Sequence, residues 1–161
     1  MAKINVGEMA PDFSLPGTGT DEMISLSRFR GQKVILYFYA KDNTVGCSTE
    51  AREFRDIYKE ITALGAVVLG VSRDSITTHE KFKAKENLPF VLLSDSDNQV
   101  GNTYGVLTEK TQNGKKKLGV ERTTVIIDET GVIIRIMRKV KAAGHAGQVG
   151  ELLRTLSKSE K

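Results

Sequence analysis

The side chain best suited to nucleophilic chemistry in this sequence is Cys47, the only cysteine of its 161 residues. It follows a polar break at residues 40–43, which ends a continuous apolar run over residues 34–39. A short apolar run rich in β-branched and aromatic residues predicts a strand buried on both faces. Beyond the cysteine, apolar residues recur at the spacing of a helix face: Ala51, Phe54, Ile57, Ile61 and Leu64. Cys47 therefore lies where a strand has ended and a helix begins.

This position favours the thiolate form of Cys47, which is the nucleophilic form. Thr44 is a good N-cap residue, and Cys47 lies three residues later, in the first helical turn. First-turn N–H groups have no partner within the helix, and the helix dipole places partial positive charge there. Both effects stabilise an anion, so we expect a reactive cysteine. The alternative is a small, buried apolar cysteine beside a threonine that only caps the helix.

Residues 40–47 read A-K-D-N-T-V-G-C and resemble the P-x-x-x-T-x-x-C motif of the peroxiredoxins. Thr44 and Cys47 match that motif, whereas Ala40 stands where the family has proline. Further segments resemble the peroxiredoxin Q, or bacterioferritin comigratory protein, branch and follow its order: residues 70–75, 92–95, 104–106, 122–128 and 139–146. The resemblance therefore extends over nearly the whole chain.

The resemblance implies a thiol-dependent peroxidase that reduces hydrogen peroxide and organic hydroperoxides, with Cys47, Thr44 and Arg122 as its catalytic residues. In that chemistry Cys47 attacks the peroxide and becomes a sulfenic acid. Arg122 opens an apolar strand and carries a permanent charge with five donors, which suits a thiolate and a peroxide oxygen. Spacing alone does not show that Arg122 reaches Cys47, and without the resemblance a surface arginine is the simpler interpretation.

Two departures from the branch affect the expected mechanism. Many members carry a second, resolving cysteine five residues after the first, where this sequence has Arg52. A sulfenic acid at Cys47 then needs an external thiol, which we expect to be thioredoxin, glutaredoxin or a small thiol. Ala40 lacks the fixed φ of proline and frees an N–H group, so we expect a less preorganised loop with the site retained.

Three other polar residues are candidates for a role at the site. Glu50 lies three residues after Cys47 and is interpreted first as complementing the helix dipole, with orientation of an arginine as a second role. His79 is predicted on an exposed helix face, and His145 near the start of the last helix. Neither histidine neighbours the cysteine in sequence, so the sequence does not support a Cys–His pair.

The apolar patterns predict an α/β sandwich with a mixed central sheet, and residues 1–161 are expected to form one domain. Strands are predicted at residues 34–39, 66–71, 90–93, 124–127 and 132–137, and helices from residue 44, over 76–86, over 98–104 and along 149–156. Two short alternating pieces, 13–15 and 23–26, predict an N-terminal β-hairpin. The family resemblance implies a thioredoxin-like fold, with helices flanking the sheet and this hairpin as an extension.

Composition and charge limit the expected partners. The net charge of +4 is not concentrated, because its densest run, residues 115–117, follows Asn113 and Gly114 and predicts a solvated hairpin tip. We therefore expect no nucleic-acid partner. The sequence has no apolar run of membrane-spanning length, so we expect no membrane partner and a cytoplasmic location. One cysteine and two histidines do not favour a metal site, no cofactor is expected, and the expected state is a monomer or weak dimer.

Two other functions stay open from the sequence. One is a thiol redox sensor or relay that passes its oxidised cysteine to a partner protein with little turnover. The other is a non-catalytic thioredoxin-like binding module. Steady-state turnover with an added thiol separates the peroxidase from the relay, and the presence of Thr44, Cys47 and Arg122 together argues against the binding module.

Overall fold

A five-stranded mixed sheet forms the centre of the computed structural model, which describes residues 4–159 apart from the side chains of residues 110, 112, 117, 118 and 157–159. The strands are β1 (Ser14–Pro16), β2 (Met23–Ser25), β3 (Lys33–Phe38), β4 (Ala66–Ser72), β5 (Val91–Ser94), β6 (Leu107–Gln112), β7 (Lys115–Val120), β8 (Thr123–Ile127) and β9 (Ile133–Met137). The α-helices are α1 (Val45–Ala63), α2 (Ile76–Glu86), α3 (Gln99–Thr103) and α4 (His145–Ser159). Within residues 4–159, none of the helices is both long enough and apolar enough to cross a membrane.

Strand β3 lies in the middle of this sheet, whose strand order is β5-β4-β3-β8-β9. All of its residues are buried, as its continuous apolar sequence predicts. It runs parallel to β4 and antiparallel to β8. Phe38 stands opposite Thr123 in the β3–β8 ladder, so the end of β3 lies beside the beginning of β8. This register brings Arg122, the residue before β8, to the loop that leads from β3 to Cys47.

The side chains of β3 alternate between two hydrophobic layers, one on each face of the sheet. Ile35 and Tyr37 pack in a layer with residues of α1, α2 and α4, including Phe54, Ile61, Phe82, Val149 and Leu153. Val34 and Leu36 pack in a layer with the N-terminal segment and α3, including Ile4, Leu15, Ile24, Leu26 and Tyr104. The predicted α/β sandwich, with a mixed sheet and an N-terminal hairpin extension, is confirmed.

Most predicted elements agree with the structure to within a few residues. Helix α2 spans the predicted residues, and its N-cap Ser75 accepts a hydrogen bond from the Thr78 N–H. Helix α4 begins at His145, four residues before the predicted stripe. The largest addition is the β6–β7 hairpin, of which only the tip at Asn113 and Gly114 was predicted. Its strands are mostly polar, so no apolar alternation marked them in the sequence.

Gly70 of β4 has no side chain, and the Tyr37 ring of β3 occupies the space that a side chain there would need. A Cβ atom at Gly70 would lie 2.9 Å from the Tyr37 hydroxyl oxygen and 2.9 Å from the Leu92 side chain. Tyr37 is 1% exposed and stacks on Phe54 of α1 at 5.0 Å between ring centroids, so it has little room to move. We therefore expect Gly70→Ala to lower the free energy of unfolding by about 1–3 kcal/mol, measured by urea denaturation.

Gly147→Ala in α4 is the matched control. A Cβ atom there meets nothing within 4 Å, and alanine favours a helix over glycine by about 0.5–1 kcal/mol. We expect this variant to equal or exceed the parent in stability. Equal unfolding free energies for Gly70→Ala and the parent would show that Tyr37 moves aside at no cost.

Candidate active site

Cys47 is the third residue of α1 and is 2% exposed. Helix α1 begins as predicted, because Thr44 is its N-cap residue and the Thr44 carbonyl accepts a hydrogen bond of 2.9 Å from the Ser48 N–H. The Thr44 hydroxyl makes no capping bond; it donates instead to the Lys41 carbonyl at 3.0 Å. Cys47 thus lies in the first helical turn, where unpaired N–H groups and the helix dipole favour a negative charge.

Arg122 reaches the sulfur of Cys47. Its Nη2 atom donates to Sγ at 3.4 Å, across 75 residues of sequence. A Cβ atom at Gly46 would lie 3.2 Å from the same Nη2, so glycine at that position lets the guanidinium come close to the helix backbone. Although burial lowers the pKa of Arg122, Glu50 and Cys47 raise it above its ordinary value. The permanent cation therefore adds to the helix N-terminus in stabilising a thiolate at Cys47.

Glu50 holds the other side of the Arg122 guanidinium. Its Oε1 atom accepts a hydrogen bond of 2.6 Å from Arg122 Nη1, and the residue is completely buried. Cys47 and Glu50 are three residues apart on α1 and therefore lie on one face of the helix. The secondary role considered for Glu50, orientation of an arginine, is the one that this geometry supports. Its spacing from Cys47 was the signal available in the sequence.

Burial raises the pKa of Glu50 to about 7, against the opposing effect of Arg122. Its second oxygen, Oε2, is buried and has no hydrogen-bond partner among the described residues. A carboxylate without full hydrogen bonding in an apolar layer is costly to ionise. The ion pair with Arg122 therefore offsets a large desolvation penalty at Glu50.

His79 is completely buried, so the prediction of an exposed helix face for it is wrong. Its Nδ1 atom lies 2.7 Å from Asp42 Oδ2, and its Nε2 atom lies 2.9 Å from the Leu93 carbonyl oxygen. His79 lies three residues before Phe82 of α2 and shares its buried face. The burial of Phe82 against the sheet explains that of His79.

Asp42, Asp74 and His79 are the group of described residues whose ligand atoms lie close enough together to hold a metal ion. Each of the three is already hydrogen-bonded within the protein. Asp74 Oδ2 accepts from the Asp42 N–H at 2.8 Å and from the Ser72 hydroxyl at 2.6 Å. The polar atoms of this group are therefore accounted for by hydrogen bonds between protein groups.

His145 lies at the start of α4, as predicted, and is buried. Its Nε2 atom lies 2.7 Å from the Thr124 hydroxyl. Burial lowers the pKa of His145 to about 4, so the imidazole is neutral at physiological pH. Among the described hydrogen bonds, none joins His79 or His145 to Cys47, in agreement with the absence of a sequence signal for a Cys–His pair.

A solvent-open groove of about 590 Å³ runs beside Arg122. Ala40 of the active-site loop and Arg122 lie at one side of it, and the β6–β7 hairpin and the segment after β9 form the rest: Thr108, Glu109, Val120, Glu121, Lys139 and Val140. The Thr108 hydroxyl oxygen is buried with no hydrogen-bond partner among the described residues. The groove thus connects solvent with the guanidinium that contacts Cys47.

The ionisation of Glu50 makes a testable contribution to stability. The pKa of Glu50 rises from 4.5 in the unfolded chain to about 7 in the folded one. Between these pH values the folded protein therefore holds a proton on Glu50 that the unfolded chain has lost. The contribution of Glu50 to stability therefore falls as the pH rises from about 4.5 to about 7. We expect the difference in unfolding free energy, parent minus Glu50→Gln, to decrease over this range in urea titrations.

His145 has the opposite effect, because its lowered pKa reduces stability as the pH falls from 6.5 to about 4. Both the parent and Glu50→Gln contain His145, so its contribution cancels in the difference between them. Asp56→Asn, at an exposed position of the same helix, controls for removing a carboxyl group. A parent-minus-variant difference for Glu50→Gln that stays constant from pH 4.5 to pH 7 would contradict the raised pKa of Glu50.

Known proteins related to this chain are peroxiredoxins. The sequence pattern of the AhpC/TSA family matches residues 6–136. A putative peroxiredoxin bcp of Coxiella burnetii is 53% identical over 91% of this chain and 96% of that protein. Peroxiredoxin Bcp of Bacillus subtilis is 42% identical over 96% of this chain and 98% of that protein.

Solved structures of related proteins have the same fold. One is the bacterioferritin comigratory protein of Xanthomonas campestris, studied for its alkyl peroxide reduction activity; it aligns with a TM-score of 0.86 at 37% identity, covering 90% of this chain and 92% of that one. A mutant of Xylella fastidiosa PrxQ aligns with a TM-score of 0.89 at 37% identity, covering 96% and 98%. These alignments confirm the thioredoxin-like fold. The chain therefore belongs to the AhpC/TSA family and, within it, to the peroxiredoxin Q or Bcp branch.

Proposed function

We propose that the protein is a thiol-dependent peroxidase in which Cys47 is the peroxidatic nucleophile and Arg122 and Thr44 are its catalytic partners. The observation that carries the assignment is the 3.4 Å contact between Arg122 Nη2 and Cys47 Sγ, with Glu50 holding the other side of the guanidinium. Membership of the peroxiredoxin family supports the same chemistry.

In the oxidative step, the thiolate sulfur of Cys47 attacks one oxygen of the peroxide. An S–O bond forms and the O–O bond breaks, so that sulfur supplies the electron pair and becomes a sulfenic acid. The other oxygen leaves as hydroxide or alkoxide and takes a proton to become water or alcohol. The donors of Arg122 stabilise the negative charge that develops on the oxygens. The Thr44 hydroxyl is exposed at the loop and donates its proton to the Lys41 carbonyl, so its oxygen is available to accept a hydrogen bond from the peroxide.

The substrates proposed are hydrogen peroxide and organic hydroperoxides. The groove of about 590 Å³ beside Arg122 has room for the organic group of a hydroperoxide while its O–O end meets the guanidinium. The related Xanthomonas campestris protein is described for alkyl peroxide reduction. Ala40 at the side of the groove replaces the ring of the family proline with a smaller group.

The reductive step uses an external thiol, because Cys47 is the only cysteine of the 161 residues. Structures solved for the Xanthomonas campestris protein include serine mutants at two different cysteines. In this chain Arg52, at the position where many members of the branch carry a resolving cysteine, forms an ion pair of 3.0 Å with Glu86. The thiol sulfur attacks the sulfenic sulfur, the S–O bond breaks and water leaves with the thiol proton. A second thiol then attacks the mixed disulfide and releases Cys47.

Thioredoxin, glutaredoxin and small thiols are the proposed reductants. The cytoplasm, where such thiols keep cysteines reduced, is the proposed location. We further propose a monomer or weak dimer of one domain. Among the described residues, the exposed large apolar side chains are Val6, Met9, Met23 and Val45, fewer than the extensive apolar surface that obligate dimers bury.

A thiol redox relay is the second candidate, and the burial of Cys47 favours it. At 2% exposure, Cys47 is poorly accessible to thiols, which lengthens the lifetime of a sulfenic acid and suits transfer to a partner protein. The relay and the peroxidase share the oxidative step. Steady-state turnover of peroxide with an added thiol distinguishes them, because the relay sustains little turnover.

Arg122→Lys tests the role of the guanidinium. Lysine keeps the charge but loses the planar fork that contacts Sγ and Glu50 together. Losing an aimed donor to developing charge costs on the order of a hundredfold in rate. We expect that loss in the second-order rate of Cys47 oxidation by hydrogen peroxide, measured by stopped-flow.

Arg52→Lys, on α1, is the matched control, and we expect it to react at the parent rate. An Arg122→Lys protein that reacts as fast as the parent would reduce Arg122 to a structural residue.

Mass spectrometry tests the fate of a lone oxidised cysteine. Stoichiometric peroxide is expected to add one oxygen to the peptide that contains Cys47, and excess peroxide without thiol a second oxygen, as sulfinic acid. Added thiol is expected to prevent the second addition and to sustain turnover. An unmodified Cys47 peptide after stoichiometric peroxide would exclude both the peroxidase and the relay.

A further inference from the structure

A second groove shares Ala40 with the groove beside Arg122. It has a volume of about 280 Å³ and is lined by Ala40, Lys41, Arg73, Asp74 and Ser96. We call it the loop groove, because Ala40 and Lys41 belong to the loop between β3 and α1. The oxidative step uses the groove beside Arg122 and leaves the loop groove without a role.

The loop groove carries an excess of positive charge. Lys41 and Arg73 are both exposed, and neither belongs to an ion pair among the described residues. The carboxylate in the lining, Asp74, accepts hydrogen bonds at Oδ2 from the Asp42 N–H at 2.8 Å and from the Ser72 hydroxyl at 2.6 Å. Two cations against one carboxylate leave a net positive charge, which attracts an anionic ligand.

The charge of the groove beside Arg122 is different. Glu109, Glu121 and Lys139 line it together with Arg122. The guanidinium of Arg122 already pairs with a buried carboxylate at 2.6 Å. The three other charged residues contribute two negative charges and one positive charge. A molecule that carries a carboxylate is therefore favoured in the loop groove over the groove beside Arg122.

The loop groove is joined to the start of α1 through the backbone of the loop. The Lys41 carbonyl accepts a hydrogen bond of 3.0 Å from the hydroxyl of Thr44, the N-cap residue of the helix whose first turn contains Cys47. Lys85 Nζ donates to Asn43 Oδ1 at 3.3 Å and adds a third cation beside the same loop. An anion is thus attracted to the loop that leads directly to Cys47.

We propose that the loop groove binds the carboxylate of a small reducing thiol, so that the external reductant of Cys47 is an anionic thiol. The proposal rests on the peroxidase function proposed above. A groove of about 280 Å³ is comparable in volume to the smaller ligand pockets of proteins, so it suits a small molecule.

The bound thiol reduces Cys47 in two displacements. Its sulfur attacks the sulfenic sulfur of Cys47, an S–S bond forms, the S–O bond breaks and the hydroxyl leaves as water with the thiol proton. A second molecule of the thiol then attacks the first at its sulfur in the mixed disulfide. This attack releases Cys47, which takes the second thiol proton or stays a thiolate, together with the disulfide of the two thiol molecules.

Lys41→Gln and Arg73→Gln each remove one positive charge from the loop groove. Both side chains are exposed, so neither substitution endangers the fold. Lys59→Gln is the matched control, because it removes the same charge from an exposed position of α1. Lys59 follows Cys47 by twelve residues, about 18 Å along the helix axis.

Reduction of the preformed sulfenic acid is measured in a single turnover at low ionic strength with three small thiols: anionic 3-mercaptopropionate, neutral 2-mercaptoethanol and cationic cysteamine. Each rate is divided by the parent rate with the same thiol, which cancels the intrinsic reactivity of the thiol. Oxidation by hydrogen peroxide is measured on each protein as well. Alkylation of reduced Cys47 by anionic iodoacetate and by neutral iodoacetamide compares the two charges without any peroxidase chemistry.

Lys41→Gln and Arg73→Gln are each expected to slow reduction by 3-mercaptopropionate about threefold, because one exposed charge pair changes an equilibrium by about that factor. Reduction by 2-mercaptoethanol and oxidation by hydrogen peroxide are expected to stay at the parent rate, and reduction by cysteamine to rise. The ratio of iodoacetate to iodoacetamide alkylation is expected to fall by a similar factor. Added salt is expected to weaken the effect of both substitutions, since it screens exposed charges. Lys59→Gln is expected to match the parent throughout.

Reduction by 3-mercaptopropionate at the parent rate in both variants, equal slowing with all three thiols, or the same effect from Lys59→Gln would overturn the loop groove as a thiol site. Slower oxidation by hydrogen peroxide with unchanged reduction would also overturn it, because the two cations would then serve the oxidative step. A parent protein that forms no sulfenic acid would instead overturn the proposed function, and the alkylation ratio alone would then decide whether the loop groove selects anions.

Discussion

The arrangement of the site depends on one guanidinium that bridges two groups of the same helix face. Arg122 donates to Cys47 Sγ at 3.4 Å through one nitrogen and to Glu50 Oε1 at 2.6 Å through another. Lysine has a single point charge and no fork of this kind, so the bridge specifies arginine. Glu50 is completely buried, and its charge is tolerated there because of the guanidinium. The stabilising effect on a thiolate therefore depends on an ion pair that fixes where the cation lies.

The sheet makes this bridge possible. Arg122 precedes β8, whose first residue, Thr123, stands opposite Phe38 at the end of β3. Cys47 follows β3 after a short loop and lies in the first turn of α1. Because β3 and β8 are antiparallel neighbours, the end of one lies beside the beginning of the other, and both residues lie at the same end of the sheet although 75 residues separate them. The Asp42 side chain attaches the loop before Cys47 to Tyr39 and to His79.

The local part of this site was predictable from the sequence, and the long-range part was not. An apolar run, a polar break and a helical stripe were sufficient to place Cys47 at a helix N-terminus with Thr44 as cap. The approach of Arg122 depends on the register between β3 and β8, which residue spacing does not encode, so only the family resemblance indicated it. The roles of Thr44, Cys47 and Arg122 stay predictions until their variants are tested.

The prediction of an exposed position for His79 was wrong for a physical reason that is visible in the sequence. A polar residue in a polar stretch suggested an exposed face, but the three-residue spacing to Phe82 places His79 on the buried side of α2. Its partner, Asp42, lies 37 residues earlier in a loop, and no periodic pattern links the two. Buried polar pairs of this kind contribute no apolar signal, so they are visible only in the folded structure.

A double-mutant cycle on Arg122 and Glu50 tests the bridge most directly. The rate of Cys47 oxidation by hydrogen peroxide is measured for the parent, Glu50→Gln, Arg122→Lys and the double variant. If Glu50 acts by fixing Arg122, Glu50→Gln slows the parent roughly tenfold but changes little once Arg122 is lysine, a coupling of about 1 kcal/mol or more. Equal slowing by Glu50→Gln in both backgrounds would contradict the account, because Glu50 would then act on Cys47 without the guanidinium.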